Sequence, residues 1–481
     1  MSEQDHRDTI YVGGKWTRPD AGRTITVVSP STEDVIGSVP EGTEADVDRA
    51  VDAARAAFDD PAGWAHWEPA RRAEVLERFA AALEARADVT ARTVSSQNGM
   101  PLQISSAFES VFPALLLRYY GGLVKDGVEE RRQAMFGGTT VVRKEPVGVV
   151  GAIVPWNFPQ ALAFLKIAPA LAAGCTIVVK PAPETVLDSY IAAEAAEEAG
   201  LPPGVLNIVP AGREVGAYLV SHPGVDKVAF TGSTAAGRSI AEVCGRLLRP
   251  VTLELGGKSA AVVLDDADLA GNLESFFGAT LLNNGQTCFV GTRILAPRSR
   301  YSEIVDTITD FAKSLKVGDA LDPETQIGPM VSARQRERVE SYIAKGRAEG
   351  ARLTTGGDRP DRDRGFFVSP TIFADVDNNH TIAQEEIFGP VLAVIPYTDV
   401  EDAIRIANDS DYGLGGSVWS TDSERAAAVA RRIRTGSIGI NSYVNDPVSP
   451  FGGVKASGLG REMGPEGLAG YQVLKSIYQA P

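Results

Sequence analysis

Apolar positions along the first hundred residues change from the period of strands to the period of helices. The first 30 residues contain the short extended segments "TIYVGGKW" and "RTITVVSP", with a Gly-Gly turn in the first of them. Apolar residues then recur at spacings of three and four within "TEADVDRAVDAARAAF", which predicts a helix whose N-cap is Thr43. A second and longer helix is predicted across 68–96, before the breaker "NGMP".

Continuous apolar runs alternate with helical segments from residue 149 onward. The runs "VVGAIV", "TIVVK", "VLNIV", "KVAF" and "VTLEL" are separated by predicted helices, and a similar series starts after about residue 256 with "SAAVVL" and "TRILAP". Buried strands that alternate with helices form parallel sheets covered on both faces. The pattern therefore predicts an α/β chain with two doubly wound parallel-sheet domains.

Two further segments differ from this alternation. The stretch "DGVEERRQAMFGGTTVVRKEPVG" is typical of a protruding polar hairpin. The tail "AGYQVLKSIYQAP" alternates apolar and polar residues, which favours a strand added to the sheet of another subunit. We expect residues 128–146 and 469–481 to form a small β oligomerisation arm.

Composition is that of a large globular enzyme. The 481 residues suggest two or three domains, and 44% of them are hydrophobic and 23% charged. A net charge of −15 without basic runs argues against binding to nucleic acid or to an anionic membrane. No apolar stretch reaches the length of a membrane span, and the polar N-terminal stretch is unlike a secretory signal.

Cysteine and histidine are too scattered for a metal site. The cysteines are Cys175, Cys244 and Cys288, and the four histidines are far apart in the sequence. A zinc site or a disulfide framework is therefore not expected. Free thiols favour a reducing, cytoplasmic setting.

A glycine-containing loop, "KVAFTGSTAAGRS", lies between a predicted strand and a predicted helix. Gly232 would let the backbone approach a phosphate at the N-terminus of that helix. The pattern superficially matches a P-loop, but a P-loop needs lysine where Arg238 stands. By itself the loop fits a phosphate site or a tight packing turn.

Three other residues are chemically suggestive, although each also has a structural explanation. Glu254 ends a predicted strand, where open α/β sheets place ligands, but a salt-bridged glutamate is equally ordinary. Asn157 sits between Trp156 and Phe158, so its amide either bridges backbone groups or stabilises an oxyanion. Cys288 is a candidate nucleophile or a small buried apolar residue.

Six motifs in a fixed order resemble the NAD(P)-dependent aldehyde dehydrogenase superfamily, of the hydrolytic type that does not acylate coenzyme A. They are "PWNFP", "GSTAAG", "LELGGKS", "GQTC", "EEIFGPV" and "PFGGVKASGLGRE", and the similarity runs from "YVGGKW" to the C-terminus. The resemblance implies that Cys288 is the nucleophile, that Asn157 and the Cys288 backbone N–H bind the thiohemiacetal oxyanion, and that Glu254 is the general base for thioester hydrolysis.

Three alternative functions follow from the same motifs. Enzymes that pass the acyl group to coenzyme A generally lack the glutamate found here as Glu254, so its presence favours release of a free acid. A catalytically silent binding protein on the same fold would not need to keep Cys288, Asn157 and Glu254 together. A P-loop nucleotide hydrolase is disfavoured by Arg238.

The resemblance also implies a set of cofactor-binding residues and no metal. These are Ile153, Trp156, Lys180, Gly232, Ser233, Leu255, Glu386 and Phe388. Family members selective for NAD usually place a glutamate three residues after the lysine, where this chain has Pro183. Glu184, one place later, is expected to point differently, so NAD is favoured but NADP use is possible.

Phe158, Leu162, Leu165, Phe289 and Phe451 are expected around the aldehyde. They favour a medium-chain aliphatic, terpenoid or aromatic aldehyde. A cationic aldehyde is disfavoured, because Leu165 stands where betaine-aldehyde enzymes usually have a tryptophan of their aromatic box.

The predicted domains complete this interpretation. We expect an NAD(P)-binding domain from residues 1–127 and 147–255, a catalytic domain from 256–441, and a return segment, 442–468, that lines the cleft. The arm would join subunits into a homodimer or homotetramer.

Overall fold

The computed structural model describes residues 5–19, 22–125 and 127–480. The ends of the predicted domains at residues 1–4, Asp126 and Pro481 lie outside the described residues.

The first large sheet has eight strands and a doubly wound centre. Its spatial order is Gly458–Leu459, Val251–Glu254, Lys227–Thr231, Val149–Ile153, Thr176–Lys180, Leu206–Ile208, Ile10–Val12 and Lys15–Thr17. The five central strands, from Val251–Glu254 to Leu206–Ile208, are parallel, and the remaining strands pair antiparallel at the two edges. In chain order the central strands are arranged 3-2-1-4-5, so the winding reverses between Val149–Ile153 and Lys227–Thr231.

The helices on and around this sheet include those that the alternation predicts, apart from the single helix across 68–96, and some that it does not predict. They are Glu44–Asp59, Pro69–Glu84, Ala87–Asn98, Leu102–Phe108, Phe112–Leu123, Pro159–Ala173, Asp188–Glu198, Arg213–Ser221, Thr234–Arg246 and Gly464–Ala469. The N-cap prediction is confirmed: the Thr43 side chain accepts from the Asp46 N–H, and the Asp46 carboxylate accepts from the Thr43 N–H.

The prediction of a single helix across 68–96 is wrong, because the chain leaves the helical conformation at Arg86. Arg86 has φ −108° and ψ 10°. Its guanidinium donates to the free Ala82 carbonyl at the end of the preceding helix (2.9 Å) and pairs with Glu198 (2.6 Å). These two contacts cap one helix before the next begins at Ala87, and no glycine or proline marks the break in the sequence.

The second large sheet has seven strands. Its spatial order is Arg352–Thr355, Thr371–Ala374, Val391–Tyr397, Arg293–Pro297, Ala260–Val263, Gly416–Trp419 and Gly439–Ile440. All are parallel except Arg352–Thr355. The helices of this part are Leu273–Thr280, Tyr301–Ser314, Ala333–Ala348, Thr381–Gln384, Val400–Asn408 and Ser423–Ala430. The prediction of two parallel α/β sheets is therefore confirmed.

Two small antiparallel or mixed sheets complete the described chain. One contains Asp5–His6, Val35–Pro40 and Thr24–Val28. The other confirms the hairpin, as Glu129–Gln133 and Thr139–Pro146, and adds the tail strand Gln472–Gln479. The tail strand pairs along its whole length with its own chain's hairpin. Its pairing with another subunit's sheet stays a prediction, since its other edge is unpaired among the described residues.

No helix among the described residues is long and apolar enough to cross a bilayer. Within the same ranges, no group of three or more His, Cys, Asp or Glu side chains is arranged to hold a metal ion. All three cysteines are free thiols.

Candidate active site

The point where the first sheet reverses its winding brings three of the predicted site residues to one edge of the sheet. Asn157 follows the strand Val149–Ile153, Gly232 follows Lys227–Thr231, and Glu254 ends Val251–Glu254. These strands are adjacent and parallel, so their carboxyl ends meet at the same edge. Open α/β sheets bind ligands at this position.

Cys288 is presented to this edge by a sharply coiled turn. Asn283, Asn284 and Gly285 all have positive φ, of 51°, 61° and 73°. Asparagine tolerates this region better than other non-glycine residues, and a Cβ on Gly285 would lie 2.2 Å from the Gly389 carbonyl oxygen. The coil is fixed by the Asn284 side chain, which donates to Gly99 O (2.9 Å) and accepts from Gly328 N (2.6 Å).

The surroundings of Cys288 raise the pKa of its thiol, whereas an activated nucleophile is expected to have a lowered pKa. Burial and the nearby carboxylates of Glu386 and Glu254 raise the pKa of Cys288 well above its usual value. The backbone N–H groups of Cys288 and Phe289 oppose this effect only in part. Cys288 follows the turn through Asn283, Asn284 and Gly285 and is not at the start of a longer helix, so no helix N-terminus lowers the pKa of its thiol.

Asn157 is held beside the thiol by contacts to the same coil. Its side-chain Nδ2 donates to the Gln286 carbonyl (3.1 Å), two residues before Cys288. Its own carbonyl accepts from the side chains of Asn283 (2.9 Å) and Asn98 (3.2 Å). The amide nitrogen carries a second proton, which can be donated to an oxyanion formed at Cys288.

Glu254 is a buried carboxylate, and neither of its oxygens has a hydrogen-bond partner in the described part of the chain. Burial and then Glu462 raise its pKa well above the usual range, while Lys166 and Arg461 act in the opposite direction. A carboxylate whose pKa is raised by burial and by its neighbours suits a general base that works near neutral pH.

A buried ion pair next to Glu254 was not expected from the sequence. Lys166 Nζ donates to Glu462 (2.7 Å) and to the Thr231 hydroxyl (2.7 Å), and both charged residues are buried. The only sequence signal is a lysine inside the helix Pro159–Ala173, whose one other polar residue is Gln160. Its partner lies 296 positions away, so no local pattern could have identified the pair.

A cavity of about 460 Å³ lies between this edge and the second large sheet. Six of the predicted cofactor residues line it: Trp156, Gly232, Ser233, Leu255, Glu386 and Phe388. Ser233 caps the helix Thr234–Arg246, accepting from Ala236 N (3.3 Å), so the free N–H groups of the first turn face the cavity side. The volume is in the range of small-molecule sites.

Glu386 and Phe388, on the opposite wall of the cavity, are each fixed by a hydrogen bond. Glu386 accepts from the Gly257 N–H (3.0 Å), and a Cβ on Gly256 would lie 2.6 Å from the other Glu386 oxygen. Phe388 has φ 63°, a strained value that the Gln335 side chain supports by donating to the Phe388 carbonyl (2.7 Å). A dinucleotide therefore fits here: glycines leave room for it, and a helix N-terminus offers N–H donors for its phosphates.

Lys180 and Ile153 lie beside this cavity and are not among the residues that line it. Both approach Gly216, and Lys180 Nζ donates to the carbonyls of Pro181 (2.8 Å) and Ala211 (2.9 Å). Burial lowers the pKa of Lys180 to about 8, against the opposing charge of Glu184.

Glu184, which is expected to point differently from the glutamate of NAD-selective family members, lies on the wall of the cavity. Pro183 begins the one-turn helix Pro183–Thr185, and Glu184 lines the cavity together with Gly232 and Ser233. Proline fixes the turn so that the residue after it supplies the carboxylate.

Aromatic side chains lie on the side of Cys288 that faces away from the cofactor cavity. Phe289 stacks on Tyr443 (4.4 Å between ring centroids) and meets Phe451 edge-on (6.4 Å). Cys288, Leu162 and Phe289 pack against one apolar cluster that contains Leu165 and Phe451, and Phe158 belongs to an adjoining cluster that shares Leu162. Tyr443, which sequence reasoning missed, lines a further cavity of about 160 Å³ with Phe451 and Val444.

Comparisons with known proteins relate this chain to a family of enzymes. A family model described as "Aldehyde dehydrogenase family" matches residues 16–477. A geranial dehydrogenase of Castellaniella defragrans is 58% identical over 475 residues, which is 98% of this chain and 99% of the relative. A 3-succinoylsemialdehyde-pyridine dehydrogenase of a Pseudomonas species is 43% identical, with 98% of each chain covered. A crystal structure of a Mycobacterium tuberculosis aldehyde dehydrogenase complexed with NAD+ has a TM-score of 0.97 and 50% identity, with 99% of each chain covered.

Proposed function

Since this chain belongs to the aldehyde dehydrogenase family, we propose that it oxidises an apolar aldehyde to the free carboxylic acid through Cys288. The observation that carries the proposal is the meeting of Cys288, Asn157 and the unpartnered Glu254 at the edge where the sheet reverses its winding. The aldehyde enters from the aromatic side of the thiol, and the cofactor occupies the opposite cavity.

The first half of the reaction forms a bond to sulfur. The Cys288 thiol gives its proton to a water molecule in the open cavity, and its sulfur attacks the carbonyl carbon of the aldehyde. The oxygen that gains the negative charge accepts from the Asn157 side chain and the Cys288 N–H, and one such donor contributes about 3 kcal/mol. Bound NAD(P) supplies the hydride acceptor, which leaves a thioester on Cys288.

The second half breaks that bond with water. Glu254 takes a proton from a water molecule, whose oxygen attacks the thioester carbon. The carbon–sulfur bond then breaks, the thiolate returns, and the acid leaves. An unpartnered carboxylate at this position supports hydrolysis over transfer to coenzyme A.

Product analysis tests this function. The purified protein with NAD and geranial, octanal or benzaldehyde is expected to yield one carboxylic acid per NADH, without any added thiol acceptor. The rate should not rise when coenzyme A is added. A dependence on coenzyme A, with an acyl-CoA product, would replace hydrolysis by acyl transfer, and no NADH with any aldehyde would favour a silent binding protein.

The substrate is proposed to be a terpenoid, aliphatic or aromatic aldehyde. Support comes from the apolar cluster beside the thiol and from the activity named for the C. defragrans relative. A cationic aldehyde is disfavoured, because the site lacks the aromatic box that would bind it: Leu165 is an aliphatic residue packed into the core.

NAD is proposed as the preferred cofactor, because the Glu184 carboxylate lines the cavity and would repel the 2′-phosphate of NADP. We expect Glu184→Gln to shift the ratio of kcat/KM for NAD over NADP toward NADP by about tenfold. Fluorescence titration should show tighter NADPH binding by the variant.

Glu214→Gln is the matched control for this shift, since Glu214 is exposed and is not among the cavity-lining residues. An unchanged ratio in Glu184→Gln, or the same change in both variants, would remove Glu184 from cofactor selection.

We also propose a homodimer or homotetramer and a cytoplasmic setting. The outer strand of the arm sheet, Gln472–Gln479, presents Leu474 and Tyr478 to solvent along a free edge, which a second subunit could cover. Light scattering that gave only the monomer mass of 50.9 kDa would exclude the oligomer. We propose the division into cofactor domain, catalytic domain, arm and return segment, and the two large sheets support the first two of these. The return strand Gly458–Leu459 pairs with the strand that ends at Glu254.

A further inference from the structure

Glu109 is a buried carboxyl group at the start of the helix Pro159–Ala173, which follows Asn157 in the chain. Its side chain is fully buried. One oxygen accepts from the Gln160 N–H (2.7 Å) and the Ala161 N–H (3.3 Å), and the other has no hydrogen-bond partner in the described part of the chain. A buried polar atom without a partner costs free energy, so this carboxyl needs an explanation beyond packing.

The helix has no cap of its own at this end. Its N-cap residue, Phe158, has a side chain that cannot accept a hydrogen bond, and its first residue is a proline, which has no N–H. The first N–H bonded within the helix is that of Leu162, which donates to the Phe158 carbonyl (2.9 Å). The two N–H groups in between, of Gln160 and Ala161, are satisfied by Glu109 in place of a cap.

Glu109 is itself held by two packed helices. It directly follows the helix Leu102–Phe108, and its N–H donates to the Ser105 carbonyl (2.9 Å). The hydroxyl of Ser105 shares a hydrogen bond with that of Ser95 (2.7 Å), which joins this helix to Ala87–Asn98. The carboxyl group therefore has a fixed position relative to both helices.

The same two helices hold the chain on both sides of the Asn157 side chain. Asn98 ends the second helix and donates to the Asn157 carbonyl (3.2 Å). Three residues after Asn157, Glu109 fixes the Gln160 N–H. The Asn157 side chain lies between these two contacts and reaches the coil that carries Cys288.

Glu109 can accept these hydrogen bonds whether or not it is ionised. Burial and then the Asp188 carboxylate raise the pKa of Glu109 to about 8, while the N–H groups of Gln160 and Ala161 act in the opposite direction. An amide also presents a carbonyl oxygen to the two N–H groups, whereas leucine presents none. Glu109→Gln therefore keeps the contact, and Glu109→Leu removes it.

From this geometry we infer that Glu109 is a positioning residue for the oxyanion donor, because it fixes the start of the helix and thereby the Asn157 side chain beside Cys288. The inference rests on the proposed aldehyde oxidation. Glu109 lines neither of the cavities beside Cys288, so it acts through Asn157 and not on the substrate. A displaced donor costs up to about 100-fold in rate, even when the change that displaces it is remote from the chemistry.

A double-mutant cycle tests the inference. Glu109→Leu is expected to lower kcat/KM for octanal by about 10- to 100-fold, with NADH binding unchanged. In an Asn157→Ala background the same change should lower kcat/KM by less than about threefold, because the donor that Glu109 positions is already gone. Glu109→Gln should stay within about threefold of wild type, since its side-chain oxygen still accepts from both N–H groups.

Asp46→Leu is the matched control, because Asp46 is also fully buried and its carboxylate accepts from the Thr43 N–H at the start of the helix Glu44–Asp59. It should lower the melting temperature and change kcat/KM by less than about threefold. Equal losses of kcat/KM in Asp46→Leu and Glu109→Leu would overturn the inference. The same loss from Glu109→Leu with and without Asn157 would also overturn it.

Glu109→Asp gives the same cycle if the leucine variant does not fold. It keeps the carboxylate but withdraws it from the helix by one methylene, so kcat/KM should fall by about fivefold, and only where Asn157 is present. No loss in this variant or in Glu109→Leu would overturn the inference.

Hydrogen exchange separates this inference from the proposed function. The amides of Gln160 and Ala161 should exchange at least about tenfold faster in Glu109→Leu and stay protected in Glu109→Gln, whether or not any aldehyde is oxidised. Unchanged exchange in Glu109→Leu would refute the positioning role while leaving aldehyde oxidation intact. Full activity of Asn157→Ala would instead refute the proposed oxyanion donor, and the inference with it.

Discussion

Cys288→Ser is expected to lower aldehyde-dependent NADH formation by about 10⁴-fold or more. A serine hydroxyl is a far weaker nucleophile than a thiolate, and no neutral base such as histidine stands among the groups described around Cys288 to activate it. Without the bond to sulfur, no adduct forms from which hydride can leave. Steady-state NADH absorbance measures the loss, and NADH binding by fluorescence shows that the cofactor cavity is intact.

Cys175→Ser is the matched control for this loss. Cys175 is fully buried and its thiol donates to the Tyr471 carbonyl (3.3 Å), a contact that a hydroxyl can keep. Activity should stay within a few-fold of wild type. Near-normal turnover by Cys288→Ser, or an equal loss in Cys175→Ser, would contradict the assignment of the nucleophile.

The part of the site that lies on the first sheet could be predicted from sequence because it depends on local pattern. Apolar runs located the strands, and the strand ends located Asn157, Gly232 and Glu254. The parallel order then brought these ends together without any knowledge of side-chain contacts. Cys288 required the family motif, since the coil Asn283–Gly285 that presents it has no period to recognise.

Other features depend on contacts between distant segments or on backbone detail. The Lys166–Glu462 pair forms across 296 positions, and the tail strand finds its partner in a hairpin more than 300 residues earlier. Glu184 reaches the cavity wall through the one-turn helix Pro183–Thr185, which is a detail of the backbone. The pKa of Cys288 depends on burial, which composition does not report.

Glu254→Gln is expected to stop turnover after the first half-reaction. One equivalent of NADH per site should form in a burst, and the steady-state rate should then fall by about 10²- to 10⁴-fold, because no base activates the water. Mass spectrometry should detect the acyl group on the peptide that contains Cys288. A steady-state rate equal to that of wild type would mean that another group is the base.

The pH dependence distinguishes a base from a merely structural carboxylate. Glu254 is a base only when ionised, and its pKa is raised by burial and by Glu462, so wild-type hydrolysis should increase as pH rises through that raised pKa. Glu462→Gln removes one negative charge and leaves Lys166 unopposed, and both effects lower the pKa of Glu254. The rising limb should therefore move to lower pH in Glu462→Gln and disappear in Glu254→Gln. A limb that stays in place in both variants would assign the titration to the Cys288 thiol.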